Sequence, residues 1–315
     1  MGGFLVVPPR PVRAVSVGAG LVIAGGETLH MMRPGAQGLM SCNSPPDIRP
    51  AVAVAAEPWA PRRFAIASTG RLCVFEGPVP GDPSLELSFS DPRDDVTHLA
   101  WTRSGQLSVL YFRSRNGKIG RLRIDQEKHE FLDAPPMAAI AADEMGGLAM
   151  IDIVGDEEVL VEKREGGYEC RPLTTIPVDS DDHDDNMHVY LAISGAAVAY
   201  SVGQCWGTYV SWESEGDFRH CENLYGGPVA FHGGKAVFGA YCVENNASIF
   251  RQTRDGSTSR IAEIVTEWVP DDRLWPAITA LAWDSSRHTL WGASPQLGLL
   301  TCKEPTPKGA RVVLS

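Results

Sequence analysis

The sequence predicts an all-β fold built from repeated units. A short apolar motif recurs seven times, each copy is followed by short β-type runs between turn residues, and no window shows sustained helical apolar spacing. The chain has 315 residues, of which 43% are hydrophobic and 21% are charged, so it has enough apolar side chains for a large core. Its 32 glycines and 23 prolines indicate many turns. We therefore expect a large closed β domain.

The recurring motif is an apolar residue, then Ala or Ser, then a second apolar residue. Its small residues are Ser16, Ala53, Ala100, Ala141, Ala192, Ala230 and Ala282. Their mean spacing is about 44 residues, and one propeller blade takes roughly 40–45 residues. A β-helix has a much shorter coil, and a β-sandwich would not repeat at this length. The pattern predicts a seven-bladed β-propeller with four-stranded antiparallel blades, as a single domain over residues 1–315. The predicted blades start near residues 13, 50, 96, 137, 188, 228 and 277.

Individual strands are predicted best in the third and sixth repeats, where turn residues separate the β-type runs. The third repeat predicts strands over residues 97–101, 106–113, 118–124 and 129–132. The sixth predicts strands over residues 228–231, 236–241, 248–253 and 259–265. Because the first strand of a blade lies beside the axis, a small residue there lets neighbouring blades approach. We expect the seven small residues to be buried near the axis, and Trp101 and Trp283 to be mostly buried between blades.

The two ends of the chain carry further short apolar runs, at residues 4–7 and 311–314. Neither run has a partner within its own repeat. Closure of a propeller removes an exposed sheet edge. We therefore expect both runs to lie in the last blade or its immediate neighbour.

Two repeats carry a family resemblance. Residues 96–124 and 278–302 share an apolar-x-x-apolar-x-Trp run followed by turn, strand, turn and strand. They resemble WD40-type blades, although the Gly-His pair before the inner strand and the Trp-Asp pair after the third strand are missing. The chain therefore resembles a divergent WD40-like propeller, and specific WD40 partners do not carry over. It also resembles the divergent bacterial propellers associated with MoxR-type ATPases and von Willebrand A proteins, without a diagnostic motif.

The charge of the chain points to a class of partner. The formal net charge is −11, from 39 acidic and 28 basic residues, which argues against nucleic-acid binding. In a propeller, the connections between blades share one face with the turns between second and third strands, and seventeen of the 39 acidic residues fall there. Acids with interspersed aromatic residues suit a basic protein partner. The candidate partner-binding residues are Asp94, Asp95, Asp181, Asp182, Asp184, Asp185, Trp206, Tyr225, Trp268, Asp271 and Trp275.

The acidic run at residues 179–185 has other interpretations. It could hold Ca²⁺, but it lacks the usual D-x-D-x-D-G register, and a solvated loop explains it as well. With His183 and His188 it could also form a transition-metal site. The opposite face, around Arg62, Arg63, Arg103 and Arg287, is the competing surface and would suit an acidic partner.

The inner strands argue against an enzyme. They are almost free of polar residues; Asp95, His98 and His188 lie nearest to the axis. The alternative function is a propeller hydrolase or lactonase with a metal at the axial channel, in which Asp95 and His98 would act as base and ligand. No GxSxG, HExxH or glycine-rich phosphate loop is present, so we expect no catalysis, cofactor or metal.

The cysteine spacing and the first residues of the chain predict the cellular compartment of the protein. The seven cysteines form no CxxC pair, which indicates reduced thiols and a cytoplasmic protein. The start has no signal-peptide pattern, Val6 stands where N-myristoylation wants Ser or Thr, and no stretch is long enough to span a membrane. The sequence thus predicts a soluble interaction scaffold.

Overall fold

The computed structural model of the protein describes most of the chain as β-sheet. The described residues are 4–7, 11–36, 38–42, 48–77, 81–104, 106–134, 136–154, 157–164, 167–172, 189–202, 207–213, 218–221, 224, 226–243, 246–266, 278–303 and 310–314. They form seven sheets, numbered blades 1 to 7 in the chain order of their inner strands. Within these ranges, no helix is long and apolar enough to cross a membrane.

The first four blades each follow the chain from the inner to the outer strand. Blade 1 consists of β2 (Val12–Gly18), β3 (Leu21–Gly26), β4 (Leu29–Met32) and β5 (Met40–Cys42). Blade 2 consists of β6 (Ala53–Ala56), β7 (Arg63–Ser68), β8 (Arg71–Glu76) and β9 (Leu85–Ser88). Blade 3 consists of β10 (Val96–Ser104), β11 (Leu107–Ser114), β12 (Ile119–Arg123) and β13 (Lys128–Phe131). Blade 4 consists of β14 (Ala139–Ala142), β15 (Leu148–Val154), β16 (Glu157–Arg164) and β17 (Gly167–Pro172). Short 3-10 helices span Pro92–Asp94 and Ile124–Gln126.

The last two blades include strands from the chain ends. Blade 5 consists of β18 (Val189–Ser194), β19 (Ala197–Val202), β20 (Thr208–Ser211) and β21 (Arg219–Cys221). Blade 6 consists of β22 (Val229–His232), β23 (Ala236–Val243), β24 (Asn246–Thr253), β25 (Thr258–Thr266) and β29 (Ala310–Leu314). Blade 7 consists of β26 (Ala280–Asp284), β27 (Thr289–Ser294), β28 (Gly298–Lys303) and β1 (Phe4–Val7). The strands predicted for the third and sixth repeats are confirmed, with bounds that differ by no more than a few residues.

The core lies between blades rather than in one central cluster. In β7, Phe64 and Ile66 pack toward blade 1, whereas Ala65 and Ala67 pack toward blade 3. Successive side chains of a strand point to opposite faces, so a blade covered on both faces has a continuous apolar sequence. Each neighbouring pair of blades shares one such cluster, including blades 7 and 1. The inner strands therefore form a closed ring, which is the β-propeller architecture that the sequence predicted.

The chain ends close the ring as predicted. β1 pairs antiparallel with β28, with Phe4 opposite Cys302, and so supplies the outer strand of blade 7. β29 pairs parallel with β25, with Ala310 beside Ala262, and adds a fifth strand to blade 6. The prediction that both runs lie in the last blade or its neighbour is confirmed. Strand pairing across the ends replaces an exposed edge with backbone hydrogen bonds.

The seven small residues lie on the axis, but the expectation that all are buried was wrong. They all line the cavities along the axial channel, to which every blade contributes. Ala53, Ala100 and Ala230 are buried, and the other four are half-buried. The physical reason is that the channel is open, with a cavity of ≈ 290 Å³ toward one end, so a side chain on the axis retains contact with solvent.

The two tryptophans of the inner strands differ in burial. Trp101 is 2% exposed, and its Nε1 donates a hydrogen bond of 3.1 Å to the carbonyl oxygen of Ala55 in blade 2. The prediction that it fills the space between blades is confirmed. Trp283 is half-buried and packs against the cluster between blades 6 and 7, where it lies 4.2 Å from the His232 ring. Trp283 also lines the open channel, so part of its indole is accessible to solvent.

Candidate functional site

Two faces of the ring are defined by their turns. The inter-blade face holds the connections between blades and the turns between second and third strands. The hairpin face holds the turns between first and second and between third and fourth strands. On the inter-blade face, Asp95 Oδ1 accepts a hydrogen bond of 2.8 Å from the backbone N–H of Gly70. This contact joins the connection between blades 2 and 3 to the β7–β8 turn, so both structures share one face.

Asp95 is a structural acid and not an exposed rim acid. It is 4% exposed, and its carbonyl oxygen accepts a hydrogen bond from the backbone N–H of Arg115. The Arg115 guanidinium lies 3.5 Å from its carboxylate. A buried carboxylate needs such partners to offset its lost hydration. Asp95 therefore holds the entrance to β10 in place.

The other described acids of this connection are also paired with bases. Asp94 contacts Lys118 Nζ at 3.2 Å and accepts a hydrogen bond from Asn116. Asp91 caps the 3-10 helix and pairs with Arg93, and hydrogen bonds from Arg93 lower the pKa of Asp91 to about 2. Each of these carboxylates has a base beside it, which offsets part of the negative charge at this part of the face. The nine other candidates lie outside the described residues: Asp181, Asp182, Asp184, Asp185, Trp206, Tyr225, Trp268, Asp271 and Trp275.

Most residues that line the channel mouth on the inter-blade face are apolar residues of the inner strands. Its polar side chains include Thr97 and His98, whose Oγ1 and Nδ1 lie 3.0 Å apart. Thr97 Oγ1 also accepts a hydrogen bond from Arg113, whose Nε donates to the carbonyl oxygen of Met137. Among the described residues, no three His, Cys, Asp or Glu side chains converge as metal ligands. His188, the third polar residue predicted near the axis, lies outside the described residues.

The hairpin face carries three buried carboxylates that sequence reasoning missed. Glu57 and Asp143 directly follow inner strands and are bonded to the next blade, whereas Asp284 ends β26 and is bonded to Ser286 and Arg287 of its own turn. Asp143 accepts from the backbone N–H of Gly195 at 2.7 Å, and Glu57 accepts from Ser108. A signal was present in the sequence, because Asp143 and Asp284 each stand two residues after a motif alanine. Burial raises the pKa of Glu57, with Ser108 and Arg63 acting in the opposite direction.

Beside these acids, Trp59 and Arg103 form a stacked pair on the hairpin face. The Arg103 guanidinium carbon lies 4.3 Å from the Trp59 ring centroid, within cation–π range. Trp59 is half-buried and Arg103 is exposed. The sequence indicated Arg103 as part of the competing basic face, but it did not indicate its contact with Trp59. The pair presents an aromatic surface and a cation together.

The cysteines with described side chains carry no reactive site. Cys42, Cys73, Cys221 and Cys302 are free and buried. Burial raises the pKa of Cys73 to about 11 and that of Cys221 to about 12. A thiol is a poor nucleophile when its pKa is this high, because the thiolate is scarce at neutral pH. The expectation of reduced, buried thiols is confirmed for these four.

Comparisons with known proteins agree on the fold. No protein-family model matches the chain, and no curated protein matches it. Many solved structures share its architecture. One is a chain in the crystal structure of the mitotic checkpoint complex, with a TM-score of 0.66 over 95% of this chain and 90% of that chain, at 13% sequence identity. A likeness at this identity establishes the fold, which is a β-propeller. The association with MoxR-type ATPases stays a prediction.

Proposed function

We propose that this chain is a non-catalytic protein–protein interaction scaffold that binds a basic protein partner on its inter-blade face. The proposal rests on the sequence, which assigns seventeen of the 39 acids to the connections and turns expected on that face. The Asp95–Gly70 contact supports the assignment of connections and turns to a common face. Complementary charge of this kind steers association and favours one sign of partner.

Within this face, we assign the partner to the connections that follow blades 4, 5 and 6 and to the β19–β20 turn, which holds Trp206. Asp94 and Asp95 are occupied by bases and hold their own connection in place. The later connections hold more acids than bases, together with aromatic residues able to anchor a partner. The assigned residues are Asp181, Asp182, Asp184, Asp185, Trp206, Tyr225, Trp268, Asp271 and Trp275.

The fold and the channel support binding over catalysis. A chain of the same fold belongs to the mitotic checkpoint complex, which is an assembly of proteins. The described residues that line the channel mouth are mostly apolar and include no carboxylate. A hydrolase or lactonase with an axial metal is the alternative, and a metal assay on the purified chain separates the two. A stoichiometric bound metal would favour the hydrolase.

We further propose a single domain over residues 1–315 in the cytoplasm, with no nucleic-acid or membrane partner. The four free, buried cysteines support a reducing compartment. The net charge of −11 disfavours nucleic acid.

The experiment captures partners on the immobilised chain from native lysate and measures their binding rates at low and high salt. One variant replaces Asp181, Asp182, Asp184 and Asp185 by Asn and Ser. A matched control neutralises four exposed acids of the hairpin face: Asp82→Asn, Asp125→Asn, Glu127→Gln and Glu144→Gln. Screening beyond about 8 Å at physiological ionic strength should slow association of the wild-type chain as salt rises.

The two variants should then differ in their binding kinetics. The four loop substitutions should reduce the salt dependence of association with little effect on dissociation, and the control should leave both unchanged. Trp275→Ala should speed dissociation, because aromatic anchors carry affinity. A partner that binds equally at low and high salt, or one sensitive only to the control set, would overturn the proposal.

A further inference from the structure

Three consecutive blades carry large side chains on neighbouring turns of the hairpin face. Blade 2 contributes Trp59, blade 3 contributes Arg103 stacked on it, and blade 4 contributes Met145, which is 80% exposed. The turn that carries Met145 lies against Arg103. A Cβ added at the neighbouring Gly146 would lie 3.0 Å from the backbone nitrogen of Arg103 and 3.3 Å from its Cβ. The surface formed by Trp59, Arg103 and Met145 is called the Trp–Arg platform below.

Buried polar groups hold the aromatic half of the platform. Trp59 Nε1 donates a hydrogen bond of 3.0 Å to Ser108 Oγ, and Ser108 in turn donates to Glu57. The second carboxylate oxygen of Glu57 lies 3.2 Å from Arg63 Nη1. This network fixes the indole while leaving part of its surface accessible. A fixed side chain loses little conformational entropy when a ligand binds.

The methionine half is also held in place. Asp143 Oδ1 accepts hydrogen bonds from the backbone N–H of Met145 at 2.9 Å and of Gly147 at 2.8 Å. Asp143 is itself bonded to Gly195 in blade 5. These bonds fix the backbone of the turn, and the Met145 side chain that it carries is 80% exposed.

The charge around the platform is locally positive on one side. Next to Trp59 in the same turn, the exposed Arg62 borders a groove of ≈ 390 Å³ that is lined by Leu21, Arg33, Pro34, Pro61 and Arg62. Glu144, beside Met145, is the exposed acid at the other end. Because Glu57 is buried and paired, the accessible charge near the indole comes from Arg62 and Arg103.

We propose that the Trp–Arg platform binds an acidic peptide segment of a partner protein, with an apolar residue of that segment seated on Trp59 and Met145. Arg62 and Arg103 would receive its carboxylates, for which the planar guanidinium is suited. Trp, Arg and Met are the residue types that interface centres favour. The net charge of −11 does not prevent this, because exposed charges more than about 8 Å away are screened at physiological salt. The site is distinct from the inter-blade face and needs a partner of opposite charge.

The test selects a random-peptide phage library on the immobilised full chain and measures the recovered peptides by fluorescence polarisation. The expected peptides are rich in Asp and Glu around a large apolar residue. Arg103→Glu should weaken them by about tenfold or more, as for an interface hot spot. Arg123→Glu, at a half-buried arginine of β12 in the outer part of blade 3, is the charge-matched control and should change affinity little.

A second pair of variants changes only exposed side chains, so that a loss of affinity is not caused by misfolding. Met145→Ser alters a side chain that is almost fully exposed, and Met40→Ser is its control on the outer strand of blade 1. Loss of affinity with Met145→Ser alone supports the platform. The proposal is overturned if no recovered peptide depends on Arg103 or Met145, if the recovered peptides are basic, or if only a nucleic-acid oligonucleotide binds in an Arg103-dependent manner. Basic peptides that depend on the acidic loops would still support the proposed scaffold function.

Discussion

Arg287 in blade 7 donates a hydrogen bond of 2.8 Å from Nη1 to the carbonyl oxygen of Gly20 in blade 1. The same guanidinium pairs with the buried Asp284 at 2.7 Å and donates to the carbonyl oxygen of Arg33 at 2.6 Å. These bonds connect the last blade to the first on the hairpin face. The β1–β28 pairing joins the two ends of the chain within blade 7, and the Arg287 contacts add polar bonds between blade 7 and blade 1.

Removal of this link should destabilise the whole ring. Arg287→Ala should lower the free energy of unfolding by about 2–3 kcal/mol, because it leaves the Asp284 carboxylate and two carbonyl oxygens without a charged donor. Arg93→Ala breaks an exposed ion pair and should leave the free energy of unfolding nearly unchanged. Urea-induced unfolding of both variants checks this. Equal midpoints for the two would contradict the role of Arg287.

Deletion of residues 1–8 should lower the melting temperature by several degrees. The deletion removes β1 and exposes the edge of β28, which the ring otherwise covers. Deletion of residues 310–315 is the matched control, since β29 adds a fifth strand to a blade that already has four. Calorimetry of both truncations should show the larger loss for residues 1–8. An unchanged melting temperature there would argue against closure by β1.

Enlargement of a buried inner-strand residue should be costly. Ala100→Leu places extra carbons into the cluster between blades 3 and 4 and should cost about 1–3 kcal/mol. Ala192→Leu should cost less, because Ala192 is half-buried beside the channel and the added carbons have space. Chemical denaturation of both variants measures the loss in free energy of unfolding that each substitution causes. A neutral result for Ala100→Leu would mean that this packing is looser than the structure implies.

Acidification should destabilise the protein in part through His232. Burial lowers the pKa of His232 below its usual 6.5, and Arg251, Lys235 and His288 lower it further. The unfolded chain binds this proton more readily, so stability is full above pH 6.5 and falls as pH drops through the folded-state pKa. His232→Gln should make the pH dependence shallower between neutral and mildly acidic pH. His129→Gln, on an exposed outer strand, is the control.

Thiol reagents should react slowly with the native protein. Burial raises the pKa of Cys302 to about 11, as it does for Cys73. Iodoacetamide at neutral pH should therefore leave these peptides unmodified until the chain is unfolded, as followed by mass spectrometry. Rapid labelling of Cys73 in the native protein would contradict its burial.

The sequence predicted what depends on local pattern. Alternation of apolar residues between turns predicted the strands of the third and sixth repeats, because side-chain direction has a period of two along a strand. The spacing of the small residues predicted the ring, and the unpaired runs at the two ends predicted its closure. Each of these features is encoded by residues that are close in sequence or by a repeated interval.

The tertiary structure decided what depends on neighbours across blades. Asp95 resembles a rim acid in the sequence, but it is buried because Gly70 and Arg115 approach it from other turns. The exposure of Ser16 and Ala192 follows from the width of the channel, which no single strand encodes. Trp59 and Arg103 are 44 positions apart and stack because neighbouring blades bring their turns together. Charge pairing, burial and stacking are properties of distances between blades, so only the closed ring could assign them.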